Sequence, residues 1–380
     1  MKVAILKSQL ASGGGGLEKY TRRIIEAFLK KGCDLTILTT GKPQDIPTGC
    51  KVVALEKPFR ATWLRLLQFD SWCRDWLSQN KMDIIFGLER NSYQTHYRAG
   101  NGVHLKFMQL RQQTDPLLKR FTTYLNPTHY ILKNIEQKAY THPDLKILFT
   151  NSYLVKGEIL EYYPSVAPEK ICVVHNGVEW EQWQFQFDIG LSKRTEICKQ
   201  LKLDPTAFQF LFVGHGFQRK GLHFLLAGLA LLNKTERNWQ LAVVGQDKSR
   251  ASFEALSARL GLQTQVKFYG SQSTILPFYQ TADCVTIPSL YDPFANVTVE
   301  ALAMGNYVVS SPYNGGKEVL NFESGSIIEN LFEPEAVAVS LAQAMAHPKN
   351  FINAERIRNS IKALDFSNQL NMLIDKTLTT

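Results

Sequence analysis

Short apolar runs of β-rich composition recur along this chain, each followed by a stretch with helical spacing, and that alternation limits the fold more than anything else in it. The first half carries VAIL (3–6), LTILTT (35–40), VVAL (52–55), DIIFGL (83–88), KILFT (146–150) and KICVVHNG (170–177). Between them lie helical patterns: one through about Lys31 with Ile24, Ile25, Phe28 and Leu29 on one face, an aromatic-rich one from about Ala61 to Gln79, and one from Ser152. Such alternation belongs to a parallel sheet covered by helices. The pattern lapses from Asn176 to Leu203 and restarts with FQFLFVG (208–214), QLAVVG (240–245), QVKFYG (265–270), CVTIPS (284–289), YVVSS (307–311) and SIIE (326–329), again with helices between. The expected fold is α/β, with one unit over 1–180 and a second over 190–355. A last helix, about 351–378, is expected to cross back to the first unit over about 360–380. The 380 residues suffice for two cores. In sheets of this kind ligands bind at the carboxyl ends of the strands.

The net charge of +9 is confined to one half: residues 1–180 hold 25 Lys and Arg against 16 Asp and Glu, while the remainder balances at 18 and 18. A basic first half suits an anionic partner. No nucleic-acid motif accompanies it and the cations are spread over several elements, so nucleic acid is not expected. The stretch from Lys106 to His142 is helical in pattern and dense in Lys, Arg, Tyr and Phe, as in segments lying on an anionic membrane surface; packing of those aromatics into the core is the competing reading. No apolar run spans a bilayer, and MKVAILKSQ is too short in apolar residues for a signal peptide, so the expected location is cytoplasmic, with possible attachment to the inner membrane face. The six cysteines show no metal-ligand spacing.

Three strand-end loops of the second half carry the chemistry. In VGHGFQRKGLHFLL, Gly214 and the cations Arg219 and Lys220 precede a helix, whose N-terminal amides and dipole add to the cations as an anion site. In YDPFANVTVEALAMG, Asp292 and Glu300 are eight residues apart across a helix start; both can accept from sugar hydroxyls, and the N–H groups of Phe294, Ala295, Asn296, Val297 and Thr298 are expected to face phosphate oxygens. Glu300 lies between Val299, Ala301 and Leu302, so its carboxylate needs a buried partner. In SPYNGGKEV, Asn314, Gly315, Gly316 and Glu318 occupy the next strand-end loop.

Taken in order, GHGFQRKG, VVGQDK, VKFYG, YDPFANVTVEALAMG and NGG resemble the retaining glycosyltransferases of family 4. Among them, FQRKG and VVGQDK are similar to segments of the lipopolysaccharide core α-glucosyltransferases. The resemblance implies the GT-B architecture, two Rossmann-like domains facing across a deep cleft, with an acceptor-binding first domain and a second that binds the nucleotide sugar. It implies transfer of a hexose from a nucleotide sugar, such as a UDP-sugar, to a glycan or glycolipid in lipopolysaccharide core or envelope polysaccharide synthesis. Arg219 and Lys220 would hold the diphosphate, and Glu300 the ribose. Tyr269 and Gly270 would lie beside the base, and Gly15 and Gly16 would approach the diphosphate from the first domain. Asp292 stands where the family's E-x7-E pattern has its first glutamate, one methylene shorter. In HYRAGNGVHLKF the resemblance points to His104 beside the donor sugar, with Arg98 and Asn101 near it, and Glu89 at the end of DIIFGL is the weaker acceptor candidate.

No cofactor and no metal are expected: the chain lacks Asp-x-Asp, and a cation pair with helix-terminal amides can stabilise a leaving diphosphate. A nicotinamide oxidoreductase fits poorly, because the SGGGGLE loop breaks G-x-G-x-x-G at Glu18. A sugar-nucleotide epimerase or phosphorylase of the same double-Rossmann shape is the nearest alternative.

Overall fold

The computed structural model describes residues 1–10, 16–41, 46–236 and 238–380. The chain divides into two compact units, Met1–His175 with Gln369–Thr380, and Asn176–Asn368.

Among the described residues of the first unit, seven parallel strands form the sheet: β1 (Lys2–Leu6), β2 (Asp34–Thr40), β3 (Lys51–Leu55), β4 (Ile84–Gly87), β5 (His96–Arg98), β6 (Ile147–Thr150) and β7 (Ile171–Val173). Their spatial order is β3-β2-β1-β4-β5-β6-β7. The helices are α1 (Gly16–Lys30), α2 (Thr62–Gln79), α3 (His104–Thr114), α4 (Leu117–Tyr124), α5 (Pro127–Thr141) and α6 (Tyr153–Tyr162). Ile24, Ile25 and Phe28 of α1 pack with Val3, Ile5, Ile37 and Phe86, where Phe28 meets Phe86 edge-on at 5.6 Å. Burying side chains of this size contributes roughly 1.5–3 kcal/mol each. The helical stretch expected over Lys106–His142 is three helices. Pro116 and Pro127 cannot continue a preceding helix, and Asn126 caps α5 by accepting the N–H of Thr128 at 3.0 Å.

The second unit holds α7 (Gln184–Ser192), α8 (Arg194–Gln200), β8 (Phe208–Val213), α9 (Leu222–Leu232), β9 (Trp239–Val244), α10 (Arg250–Arg259), β10 (Val266–Gly270), α11 (Leu276–Thr281), β11 (Cys284–Ile287), α12 (Asn296–Ala303), β12 (Tyr307–Ser310), β13 (Gly325–Ile327), α13 (Pro334–Met345) and α14 (Phe351–Ser360). Its parallel sheet runs β10-β9-β8-β11-β12-β13. The irregular stretch from Asn176 to Leu203 therefore contains two helices, short enough to leave little periodicity. The single helix expected near 351–378 is broken by a 3₁₀ turn at Lys362–Leu364 before α15 (Phe366–Leu378). The break lies where Asp365 pairs with Val178: Val178 N–H donates to Leu364 O at 3.1 Å and Phe366 N–H to Val178 O at 2.9 Å. A side chain at Gly177 would stand 2.7 Å from the Phe366 backbone, so glycine is required there. Beyond Gln369, Leu373 and Ile374 of α15 are buried in the first unit's core with Ile24 and Phe28.

In each sheet the strand order reverses once, between β1 and β4 and between β8 and β11, and such a reversal opens a crevice at the carboxyl ends. In the second unit the loop leaving β8 presses on the end of β11 at Gly221, which has φ +77° and whose added Cβ would lie 1.8 Å from Pro288 O. Gly216, at φ +72°, has open space around it. Gly216→Ala is therefore expected to cost about 1–2 kcal/mol for the left-handed conformation alone. Gly221→Ala should cost about 2–5 kcal/mol because the collision adds to it. Urea unfolding midpoints of the two variants measure the difference.

Candidate active site

The crevice of the second unit is built from three loops bonded to one another. The loop after β8 bears Arg219 and Lys220, and the loop after β11 bears Asp292. Leu290 N–H donates to Arg219 O at 2.9 Å, Lys220 Nζ donates to Asp292 Oδ2 at 2.5 Å, and Arg219 Nη1 lies 3.9 Å from the same oxygen. The Lys220 stem runs under Gly214, where a Cβ would stand 3.2 Å from its Cγ. The loop after β12 joins through backbone bonds, Asp292 N–H to Tyr313 O and Gly315 N–H to Asp292 O, both 2.9 Å. Lys220 is thus half-buried beside a carboxylate, while Arg219 is exposed. Arg219 and Lys220 therefore share the one carboxylate of Asp292 between them.

Asn314 fixes the helix that follows Asp292. Fully buried, it accepts the N–H groups of Ala295 and Gly316 at 3.0 Å each and donates to Thr298 Oγ1 at 3.2 Å and Ser310 Oγ at 3.0 Å. This corrects the expectation that all five amides from Phe294 to Thr298 face a ligand. Ala295 N–H is held by Asn314, and Thr298 N–H bonds Ala295 O at 2.9 Å. Asn296 and Val297 remain as the first-turn amides of α12 that lack an intrahelical acceptor. Glu300, one turn further, has the buried partner its setting demands: Tyr279 O–H donates to its Oε2 at 2.7 Å.

The ends of β9 and β10 close the other side. Asp247 Oδ1 accepts the Ser249 hydroxyl and, at 2.7 Å, Ser249 N–H, while its Oδ2 accepts Phe217 N–H at 2.7 Å; against partial burial, which raises it, these bonds, the hydroxyl's first, hold its carboxyl below the usual carboxylate range. Asp247 therefore braces the loop that carries Arg219 and Lys220. Gly245 N–H donates to Gly270 O at 2.9 Å. The Tyr269 hydroxyl donates away from the crevice, to Leu201 O at 2.7 Å, and its ring packs on Phe278 at 4.8 Å. Asp247 and Tyr279 escaped the sequence reading. An Asx turn at D-K-S hinted at the first. Nothing local distinguishes Tyr279 from a core aromatic.

In the first unit, Gly15 lies outside the described residues, and Gly16 is the first residue of α1. Glu89 stands at the β1/β4 reversal: it pairs with buried Lys7, accepts the Ser8 hydroxyl, and accepts Ser8 N–H at 3.1 Å. Arg98 is buried with its guanidinium 3.9 Å from the centre of the Tyr20 ring, and Asn101 is exposed in the turn before α3. His104 opens α3 and is buried. Its backbone N–H donates to Glu136 Oε1 at 2.9 Å, and its ring stacks on His129 with Nε2 3.1 Å from Nδ1. Glu136, wholly buried, is neutralised by Arg90 Nε at 2.6 Å and also accepts the Tyr163 hydroxyl at 2.9 Å. Among the described residues no group of three or more His, Cys, Asp or Glu could hold a metal. Burial raises all six thiols above their ordinary pKa.

Burial, then the charges of Arg90, His129 and Arg111, push His104 down to about 3. Its proton is therefore bound by the unfolded chain and not by the folded one between pH 3 and the ordinary 6.5, so acid favours unfolding in that window. His96 and His223, both lowered to about 4 by burial, act in the same direction. Each such histidine contributes up to about 1.4 kcal/mol per pH unit. Denaturant titrations at pH 7 and 4.5 should show His104→Gln losing less stability on acidification than the parent chain.

Family models describe the two units in turn: Glycosyltransferase Family 4 matches residues 14–182, and Glycosyl transferases group 1 matches residues 193–363. The chain is 23% identical over 338 residues to an uncharacterised glycosyltransferase of Methanocaldococcus jannaschii, spanning 85% of this chain and 83% of that one. It is 22% identical over 349 residues to the lipopolysaccharide glucosyltransferase WaaG of Escherichia coli K12, spanning 91% and 90%. The crystal structure of WaaG superposes with a TM-score of 0.80 at 20% identity over all of both chains. That of Anabaena HepE in complex with UDP-glucose does so at 0.67 and 16%, again over both whole chains. The paired parallel sheets are those of the GT-B fold, and with the two models covering nearly the whole length, the chain belongs to the family 4 glycosyltransferases with a group 1 second domain.

Proposed function

We propose that this chain is a retaining, metal-independent hexosyltransferase that uses a nucleotide sugar, with UDP as the carrier, and acts on a glycan or glycolipid of the lipopolysaccharide core or cell envelope. The observation that carries the reading is the convergence of Arg219, Lys220, Asp292, Glu300 and the first turn of α12 at one strand-order reversal. The second unit takes the donor and the first takes the acceptor. Arg219, Lys220 and the amides of Asn296 and Val297 receive the diphosphate, Glu300 accepts from the ribose, and the backbone at Tyr269 and Gly270 borders the base. Solved relatives that carry UDP or UDP-glucose support the choice of carrier, and WaaG supports the choice of pathway.

In the transfer, the bond from the sugar's anomeric carbon to the diphosphate oxygen breaks. The acceptor oxygen bonds to the same carbon from the same face, and its proton passes to the departing diphosphate. Negative charge grows on that diphosphate, where two cations and helix-terminal amides already stand, so the stabilisation is in place before reaction. Asp292 holds Lys220 at 2.5 Å, so diphosphate binding exchanges one anion for another on the same ammonium. On the acceptor side stand Glu89, Arg98 and Asn101 of the first unit, and His104 of the same unit is the candidate beside the donor sugar.

A cytoplasmic location with attachment to an anionic inner-membrane face fits the surface. Leu117 and Phe121 of α4 and Leu125 at its C-cap recur every four residues and are 79%, 63% and 63% exposed, with Tyr130 exposed on α5. Arg120, Lys133 and Lys138 are exposed around them. An apolar stripe bordered by cations is the pattern of a helix lying in a lipid headgroup region. No helix among the described residues is long and apolar enough to cross a membrane.

A screen of donor hydrolysis across nucleotide sugars tests the donor; no turnover of any UDP-sugar would overturn that assignment. Lys220→Ala is expected to lower transfer at least ~100-fold and to weaken UDP binding while the chain still folds, with a cooperative thermal transition at a lower temperature than the parent's. Turnover should survive EDTA. In liposome sedimentation, the parent chain should pellet with anionic vesicles and not with neutral ones, and the pair Leu117→Glu and Phe121→Glu should return it to the supernatant with donor hydrolysis intact. Equal recovery from both vesicle types would defeat the membrane reading.

A further inference from the structure

A tyrosine at a wholly buried position calls for explanation, because its hydroxyl adds nothing to packing that phenylalanine would lack and is unfavourable to desolvate unless bonded. Tyr279 is such a residue, at 0% exposure on α11, with its ring 6.3 Å from that of Trp183. Its only polar side-chain atom donates at 2.7 Å to Glu300 Oε2, across 21 residues of sequence. The backbone behind the ring is equally fixed. Tyr279 O accepts from the fully buried side chain of Asn306 at 2.9 Å and from Lys349 Nζ at 3.1 Å. The phenol is thus a fixed donor aimed at the carboxylate from inside the core. Burial and the nearby Glu300 both push its pKa upward, so it keeps its proton at every working pH.

We propose that Tyr279 is the positioning residue for ribose recognition, holding the Glu300 carboxylate in the one orientation from which it can accept from the hydroxyls of a bound nucleotide. This rests on the reading of Glu300 as the ribose acceptor. A carboxylate offers about four acceptor directions, so the bond to the phenol restrains the group and occupies only one of them. Without the phenol, the Glu300 side chain is less restrained before the ribose arrives, and the bond to ribose is weaker by the ordering that the phenol supplied.

Calorimetric titration with UDP and with 2′,3′-dideoxy-UDP separates this from a purely structural role. The parent chain should prefer UDP by ~10-fold or more, the range of a hydrogen bond to a charged group. Tyr279→Phe should bring that preference to within about twofold by weakening UDP alone, and in a Glu300→Gln background the same change should leave the preference unaltered. A parent preference that survives Tyr279→Phe, or a loss of affinity shared by both nucleotides, overturns the positioning role while Glu300 keeps its own. A parent chain that binds UDP with no preference overturns the ribose reading of Glu300 as well. If Tyr279→Phe does not fold, replacing Tyr279 with p-aminophenylalanine keeps a donor at the same place. That chain should retain the preference for UDP, and its loss would overturn the proposal.

Discussion

Much of the second unit is arranged around the contact between Lys220 and Asp292. The two residues leave neighbouring parallel strands, β8 and β11, where the strand order reverses and the following helices pack on opposite faces of the sheet. At that point backbone pairing ends and side chains must close the gap. The ion pair does so between the first two loops, and the backbone bonds of Asp292 to Tyr313 and Gly315 bring in the third. Asn314 then sets the start of α12, and α12 carries Glu300. The site is assembled in sequence from the core outward, and little of it depends on a mobile side chain.

The first unit meets the same constraint in a related way. At its own reversal, between β1 and β4, a lysine from the loop after the first strand pairs with an acid from the loop after the fourth. Lys7 and Glu89 thus occupy the places that Lys220 and Asp292 occupy in the second sheet. The chemistry around them differs. The second pair has Arg219 beside it, whereas the first is joined by the neutral hydroxyl and amide of Ser8.

The parallel sheets were legible in the sequence because their strands are short runs of buried apolar residues between amphipathic helices, a signal local to each run. Arg219, Lys220, Asp292 and Glu300 were legible because each follows such a run at its carboxyl end. What escaped notice was set by distant partners. β5 has only three residues, too few for a pattern. Pro116 and Pro127 mark the breaks between α3, α4 and α5, yet the basic and aromatic composition of that stretch reads as continuous. His104 appears as a lone histidine in the sequence, and only the fold brings His129 and the Glu136–Arg90 pair against it. Ala295 and Thr298 looked like open helix-terminal amides because the loop holding Asn314, which bonds Ala295, comes from another strand. Tyr279 meets Glu300 through tertiary packing alone.

The thiols have a use of their own. Burial lifts each of the six cysteines above its ordinary pKa, and the thiolate is the reactive form. At neutral pH the buried thiols of Cys33, Cys73, Cys198 and Cys284 should therefore react slowly with maleimides, and a cysteine introduced at an exposed position should be modified ahead of them. One such position in each unit would give a doubly labelled chain once the half-buried Cys50 and Cys172 are replaced. Distances between the two labels, with and without nucleotide, would then report whether the nucleotide changes their separation.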